Sequence, residues 1–259
     1  MGNSIGAYSS CCILLLLITV LTPPAAATDT MFHANPERTG VFNNGEIVPT
    51  NNELWRFKTG GAVVSSPAVL NGVVYIGSDK NLYAIDAVTV KEQWRFPTGN
   101  IISSSPAVSN GVVYFGSTDG YIYAIDAVTV KEQWRFPTGK SISSSPAVSN
   151  GVVYIGSDDN KLYAIDAVSG KKNWEFPTGN SISSSPAVSN GVVYVGSRDN
   201  YLYAFDAVTG KEKWRFATEG WVDSSPAVSN GVVYVGSDDK NLYAIDAVSG
   251  KKNWEFPTG

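Results

Sequence analysis

Few side chains in this sequence have types and spacing that could do chemistry. Five aspartates, Asp86, Asp126, Asp166, Asp206 and Asp246, recur at 40-residue intervals, and such a ring of carboxylates could ligate metal ions. Each also stands in the same short turn ahead of a tryptophan, where an Asp side chain accepts backbone N–H bonds and fixes the turn. The turn reading is preferred. The Ser-Asp-Asp segments at 157–159 and 237–239 suggest Ca²⁺ binding, but one acidic turn lacks the roughly six to eight oxygens the ion takes. Solvated hairpin turns are expected there. His33 is the one histidine of the chain, so neither a histidine-based catalytic pair nor a zinc cluster is available. No helix follows Gly60-Gly61, which excludes a phosphate-binding loop. The expectation is no catalytic, cofactor-binding or metal-binding residue.

Positions that interrupt the repetition are better candidates for function than those that keep it. The link Ala217-Thr218-Glu219-Gly220-Trp221-Val222-Asp223 replaces Pro-Thr-Gly-Asn-Ile-Ile-Ser and its close variants. Trp221 is the one tryptophan of seven outside the repeating series. An aromatic side chain flanked by Glu219 and Asp223 on a connecting loop suits contact with a ligand or protein. Arg198 replaces the usual Asp or Thr, and Tyr121 and Tyr201 replace smaller or polar residues. The candidate interaction patch is therefore Glu219, Trp221, Asp223, Arg198 and Tyr201, with drift among duplicated units as the plain alternative.

Composition narrows the classes further. Nineteen basic residues stand against 23 acidic ones, net −4, so the basic excess of a nucleic-acid binder is missing. Hydrophobic residues make up 43% and charged residues 16% of the 259, which describes a packed chain and not a solvated disordered one.

The elements that carry these residues come from a repeat. Trp94, Trp134, Trp174, Trp214 and Trp254 are 40 residues apart, and Trp55 precedes them by 39 because the first unit has a loop one residue shorter, at 77–81. Units run near 65–103, 104–143, 144–183, 184–223 and 224–259. Segments 144–179 and 224–259 differ only at 155, 160 and 161 and their equivalents. Each unit holds four strand signals: Ser-Ser-Pro-Ala-Val, whose Pro suits a strand start or edge; Val-Val-Tyr-Val-Gly; Leu-Tyr-Ala-Ile-Asp; and Trp-Arg-Phe-Pro or Trp-Glu-Phe-Pro. An Asn-Gly hairpin signal joins the first two. No helical period is present. Four short antiparallel strands per 40 residues predict an all-β propeller of five blades plus one extra N-terminal strand, over 53–259. The Trp series, Trp55 included, is expected to wedge between blades, with the five aspartates fixing the turns that dock them. Six Trp strands accompany five copies of the other three. The arrangement is an open array, a tight ring or part of a larger propeller, and an open array should self-associate.

The first 27 residues read differently. Cys11 to Leu21 is apolar apart from Thr19, and Ala25-Ala26-Ala27 follows, the layout of a secretory signal peptide. The run is roughly half the ~20 residues of a membrane span. Residues 28–52 form a lead-in. Cys11 and Cys12 leave with the signal, so no disulfide is expected in the mature chain.

Ala-Ile-Asp-Ala-Val-Ser-Gly-Lys-Lys-Asn-Trp, at 164–174 and 244–254, resembles the pyrroloquinoline quinone (PQQ) repeat, A-x-D-x-x-T/S-G-x-x-x-W, and 204–214 matches it too. Val90 and Val130 depart from it where the pattern has Gly, implying strain or a reshaped turn. Residues 31–40 resemble the lead-in of exported members. The resemblance implies a PQQ-like β-propeller, in a family with two branches. Quinoprotein dehydrogenases hold PQQ and Ca²⁺ in an eight-bladed ring; non-catalytic propellers include the outer-membrane assembly factor of Gram-negative bacteria and surface proteins. Cys11-Cys12 resembles a vicinal disulfide that stacks on PQQ in some alcohol dehydrogenases, yet lies outside every repeat. Near-identical blades also offer little of the asymmetry that a quinone site needs. The resemblance therefore implies the non-catalytic exported branch: a protein-binding or scaffolding module in the periplasm or at the cell surface. It would have no cofactor, no nucleic-acid partner and no stable membrane insertion after signal cleavage, and its partner would be a protein or a surface polymer. The alternatives are a fragment of a PQQ-dependent oxidoreductase and a modular structural surface protein of variable blade number.

Overall fold

In the computed structural model, residues 53–259 are described. The signal segment, the lead-in, Cys11, Cys12 and His33 lie outside them. Within this span twenty strands and no helix form five four-stranded antiparallel sheets. Blade one is β1 (Ala68–Leu70), β2 (Val73–Ser78), β3 (Asn81–Asp86) and β4 (Glu92–Pro97). Blade two is β5 (Ala107–Ser109), β6 (Val112–Gly116), β7 (Tyr121–Asp126) and β8 (Glu132–Pro137). Blade three is β9 (Ala147–Ser149), β10 (Val152–Ser157), β11 (Lys161–Asp166) and β12 (Lys172–Pro177). Blade four is β13 (Ala187–Ser189), β14 (Val192–Ser197), β15 (Tyr201–Asp206) and β16 (Glu212–Ala217). Blade five is β17 (Ala227–Ser229), β18 (Val232–Ser237), β19 (Asn241–Asp246) and β20 (Lys252–Pro257). Each sheet follows chain order, so every connection within a blade is a hairpin.

The turns explain this regularity. Asn110 and Gly111 take φ of 49° and 75°, and the other Asn-Gly pairs match them, giving the paired left-handed residues of a tight hairpin. A register shift between Ala124 and Ile125, repeated in all five blades, marks a bulge between the third and fourth strands. Val90 and Val130 keep φ of 60° and 61°, beside 67–70° at Gly170, Gly210 and Gly250. The turn is therefore conserved in shape and the strain is real.

The core lies between blades. The inner strands β1, β5, β9, β13 and β17 neighbour one another in sequence, and four hydrophobic clusters each join the trailing side of one blade to the leading side of the next. Tyr154, Leu162 and Ala164 of blade three, for example, pack with Val193, Tyr203 and Phe205 of blade four. A single small sheet cannot cover both of its apolar faces, and stacking does so. The sixth Trp segment, around Leu54 to Phe57, runs beside blade one without a strand ladder. The β19 edge that it would complete is held by β20, while Phe57 packs against Val74, Tyr83 and Ile85.

Candidate functional site

Four indoles bridge the blade junctions. Trp94, Trp134, Trp174 and Trp214 donate Nε1–H to the carbonyls of Ala127, Ala167, Ala207 and Ala247 in the following blade, at 2.9, 3.0, 3.1 and 3.1 Å. The hydroxyls of Tyr114, Tyr154 and Tyr194 donate to three of the same carbonyls. Burial, with a smaller contribution from Asp206, pushes the Tyr154 phenol up to about 12. Trp55 and Trp254 stand at the ends of the series and are exposed.

The five periodic aspartates occupy separate turns, one per blade. Asp86 Oδ1 accepts from the backbone N–H groups of Val88 and Thr89 and from the Thr89 hydroxyl; Asp166 Oδ1 accepts from the Ser169 N–H and hydroxyl. These bonds hold their carboxyls below the usual carboxylate range, led by the Thr89 backbone at Asp86 and the Ser169 hydroxyl at Asp166. Among the described residues no three His, Cys, Asp or Glu side chains are grouped to hold a metal ion.

A second aspartate series does what sequence reasoning missed. Asp119, Asp159 and Asp199 each accept, through Oδ2, the backbone N–H of a glycine in the preceding link and the hydroxyl of a tyrosine in their own blade. The bonds from Gly139 and Tyr163 to Asp159 are 2.7 and 2.6 Å, and Asp119 and Asp199 repeat them. Asp239 takes the N–H of Glu219 in place of a glycine and the Tyr243 hydroxyl. Burial followed by this bond pushes the Tyr243 phenol up to about 12. Asp159 is thus drawn into a blade junction and is not merely part of a solvated turn. Its signal was legible: the second residue after Ser117, Ser157, Ser197 and Ser237 is always Asp, whereas the residue between them varies.

The structure brings three of the five patch residues together. Arg198 forms a bidentate ion pair with Asp223, Nε to Oδ1 at 2.9 Å and Nη2 to Oδ2 at 2.9 Å, and its guanidinium lies 5.0 Å from the centre of the Trp221 ring. The Asp223 bond raises the Arg198 pKa. Tyr201 instead packs with Tyr203 and beneath Arg215, and Glu219 contributes its backbone to Asp239. A surface cleft of about 350 Å³ runs along Trp221, Gly220, Glu219, Asn200 and Asp238. Asp158 is partly buried, and this raises its carboxyl against the lowering influence of Arg198 and Lys140. Trp221 remains 47% exposed, so the cluster presents a braced aromatic surface edged by carboxylates. It can bind by stacking and hydrogen bonding, and it contains no nucleophile paired with a base.

Four-stranded blades joined by one indole at each of four junctions, with an Asp-anchored turn before each Trp, define the PQQ-like repeat β-propeller class. The chain belongs to the family described as outer membrane protein assembly factor BamB, whose family model matches residues 43–101, 78–183 and 169–259. No curated protein matches it. Among solved structures it is similar to BamB from Moraxella catarrhalis, with a TM-score of 0.70 and 21% identity over 78% of this chain and 67% of that one. It is also similar to the quinohemoprotein alcohol dehydrogenase from Comamonas testosteroni, with a TM-score of 0.66 and 20% identity over 76% of this chain and 43% of that one. A europium-containing methanol dehydrogenase gives a TM-score of 0.73 and 16% identity, over 88% of this chain and 57% of that one. The chain thus spans about half the length of these dehydrogenases, and the likeness is one of fold. The described residues do not fit a quinone cofactor with a Ca²⁺ ion. Among the described residues the inner strands carry only Ala, Val, Leu and Ser, and no three carboxylates are grouped to hold a Ca²⁺ ion.

Proposed function

We propose that this chain is an exported, non-enzymatic β-propeller that acts as a protein-binding or scaffolding module at the cell envelope or surface. The Arg198–Asp223–Trp221 cluster carries the reading. It is a departure from the repeat whose parts are held together by specific geometry, which drift alone does not require, and its exposed indole suits a protein partner. Trp94, Trp134, Trp174 and Trp214 and the Asp119 series dock the blades, the periodic aspartates fix the turns, and the patch makes the contact. Membership of a family described by an assembly factor agrees with this role. Residues 1–27 would direct export and 28–52 would lead into the propeller.

The test is capture of partners from the native envelope by the mature protein and by a Trp221→Ala/Asp223→Ala variant. Loss of a partner from the variant is expected; retention of every partner overturns the assignment of the patch. The fold of the dehydrogenase neighbours favours a second reading, an oxidoreductase fragment. Supplying PQQ and Ca²⁺ with an alcohol and a redox dye tests it, and no dye reduction is expected.

A further inference from the structure

The junction between blades one and two departs from the three that follow it. At those, Gly170, Gly210 or Gly250 lies against the indole of the blade before. A Cβ on any of them would come within 2.6, 2.6 and 2.7 Å of Trp134, Trp174 and Trp214 respectively. Val130 holds the matching place here, its side chain packed in the same cluster as Trp94 and Leu70. Leu70 is itself a departure, because Ser109, Ser149, Ser189 and Ser229 stand there in the other blades. A hydrogen bond changes with them. Tyr114, Tyr154 and Tyr194 donate to the carbonyls of Ala167, Ala207 and Ala247. The Tyr75 hydroxyl donates to no carbonyl among the described residues, although Trp94 still reaches Ala127 at 2.9 Å.

A cleft of about 290 Å³ opens at this junction, walled by Leu70, Val73, Tyr75, Trp94, Ala127 and Val128. Asn71 and Gln93 add polar groups, and no charged side chain lines it. Among the described residues no buried side-chain polar atom lacks a partner, so the Tyr75 hydroxyl faces the opening and not dry protein. Burial raises its pKa, which keeps it a donor at neutral pH. The cleft lies where the β1–β2, β5–β6 and β7–β8 turns meet, with Gly111 accepting the Ala127 N–H at 2.8 Å. Arg198 and Trp221 stand at the other ends of the blades, on the β14–β15 turn and the link after blade four. This site is therefore separate from the patch.

We propose that this cleft binds a small neutral molecule built on one aromatic ring that carries a hydrogen-bond acceptor. Volume sets the size: the space is at the small end of ligand pockets, so one ring with a short substituent fills it. The aliphatic walls favour an apolar body. Trp94 and Tyr75, tilted at 48° with ring centroids 5.8 Å apart, offer it faces and edges to pack on. An uncharged lining gives an ion nothing to pair with, so a charged ligand would lose its hydration uncompensated. The Tyr75 hydroxyl, free of the bond its counterparts make, is a donor that a carbonyl oxygen of the ligand satisfies.

Nuclear magnetic resonance titration of the full chain tests this, with acetophenone and with ethylbenzene, which has a similar shape and no acceptor. Saturable shifts are expected at the N–H groups of Gly111 and Val128, with a Kd for acetophenone below ~1 mM. None is expected at Gly151 and Val168, their counterparts at the next junction. Tyr75→Phe should weaken acetophenone about fivefold and leave ethylbenzene unchanged. Leu70→Ser should weaken both about fivefold or more. Val130→Gly should close the cleft and weaken both at least ~10-fold while raising the denaturant midpoint, so that unfolding is not the cause. Shifts that do not saturate, equal shifts at Gly111 and Gly151, or a Tyr75→Phe variant that weakens both probes alike overturns the proposal. So does a polypeptide partner lost on Leu70→Ser when neither probe binds, which would give the cleft to a side chain of that partner.

Discussion

The indole N–H of Trp134 donates to the Ala167 carbonyl at 3.0 Å, joining blades two and three. Trp254 occupies the same place in its own sheet, opposite Ala244 as Trp134 is opposite Ala124, but no blade follows it among the described residues. One chain therefore offers a wedge and its uncovered copy. Trp134 is 8% exposed and Trp254 46%, so the loss on truncation should differ sharply. Trp134→Ala is expected to cost ~3–5 kcal/mol and Trp254→Ala below ~1 kcal/mol. Thermal and denaturant melts of the two variants check this, and equal losses would remove the wedge role.

Stability should fall at both extremes of pH, for opposite reasons. Asp86, Asp126, Asp166, Asp206 and Asp246 have carboxyls lowered by turn hydrogen bonds. Their contribution is present above the unfolded value of 3.8 and is lost as pH falls below it. Tyr154 and Tyr243 are raised from 10.0 to about 12 by burial. Their contribution is full below pH 10 and disappears as pH rises toward 12, because the unfolded phenols ionise first. Melting temperature measured against pH should show a plateau with an acid edge below about 4 and an alkaline edge above about 10.

Val90 and Val130 hold a left-handed turn that suits Gly. A β-branched residue there costs ~1–3 kcal/mol, part of which the greater freedom of an unfolded glycine offsets. Val90→Gly should raise stability by ~1 kcal/mol. The reverse change, Gly170→Val, adds the same strain and places a Cβ 2.6 Å from Trp134 Cγ, so it should cost ~2–4 kcal/mol. Denaturant midpoints of the two variants should move in opposite directions.

Much of this architecture was legible because repetition forces it. The Asn-Gly pairs, the strand alternation and the 40-residue Trp spacing each specify a local feature, and five copies make the features reinforce one another. The series Asp119, Asp159, Asp199 and Asp239 recurs in the sequence, but its role is not visible there. Its partners, such as Gly139 and Tyr163 for Asp159, lie 20 residues back and four ahead, on opposite sides of a junction that a linear pattern does not display. The patch was legible as substitutions and not as an arrangement. That Arg198 reaches Asp223, 25 residues on, follows only when two blades are set side by side. Tyr201 shares their departure from the repeat, but its place on β15 turns it to Arg215 instead.

Asp158 and Asp159 are adjacent residues of one type, and the structure assigns them opposite energetics. Asp159 Oδ2 accepts from the Gly139 N–H and from the hydroxyl of Tyr163, which is buried. Removing that carboxylate leaves a buried donor without an acceptor, at ~1–3 kcal/mol for the group. Asp158 makes its backbone bond to Ser141 through its own N–H, which a side-chain change leaves intact, and burial penalises its charged form. Asp159→Ala should therefore cost ~2–3 kcal/mol, whereas Asp158→Asn should be neutral or slightly stabilising at pH 7. Urea unfolding of both variants decides between this account and a purely solvated turn, in which the two substitutions would behave alike.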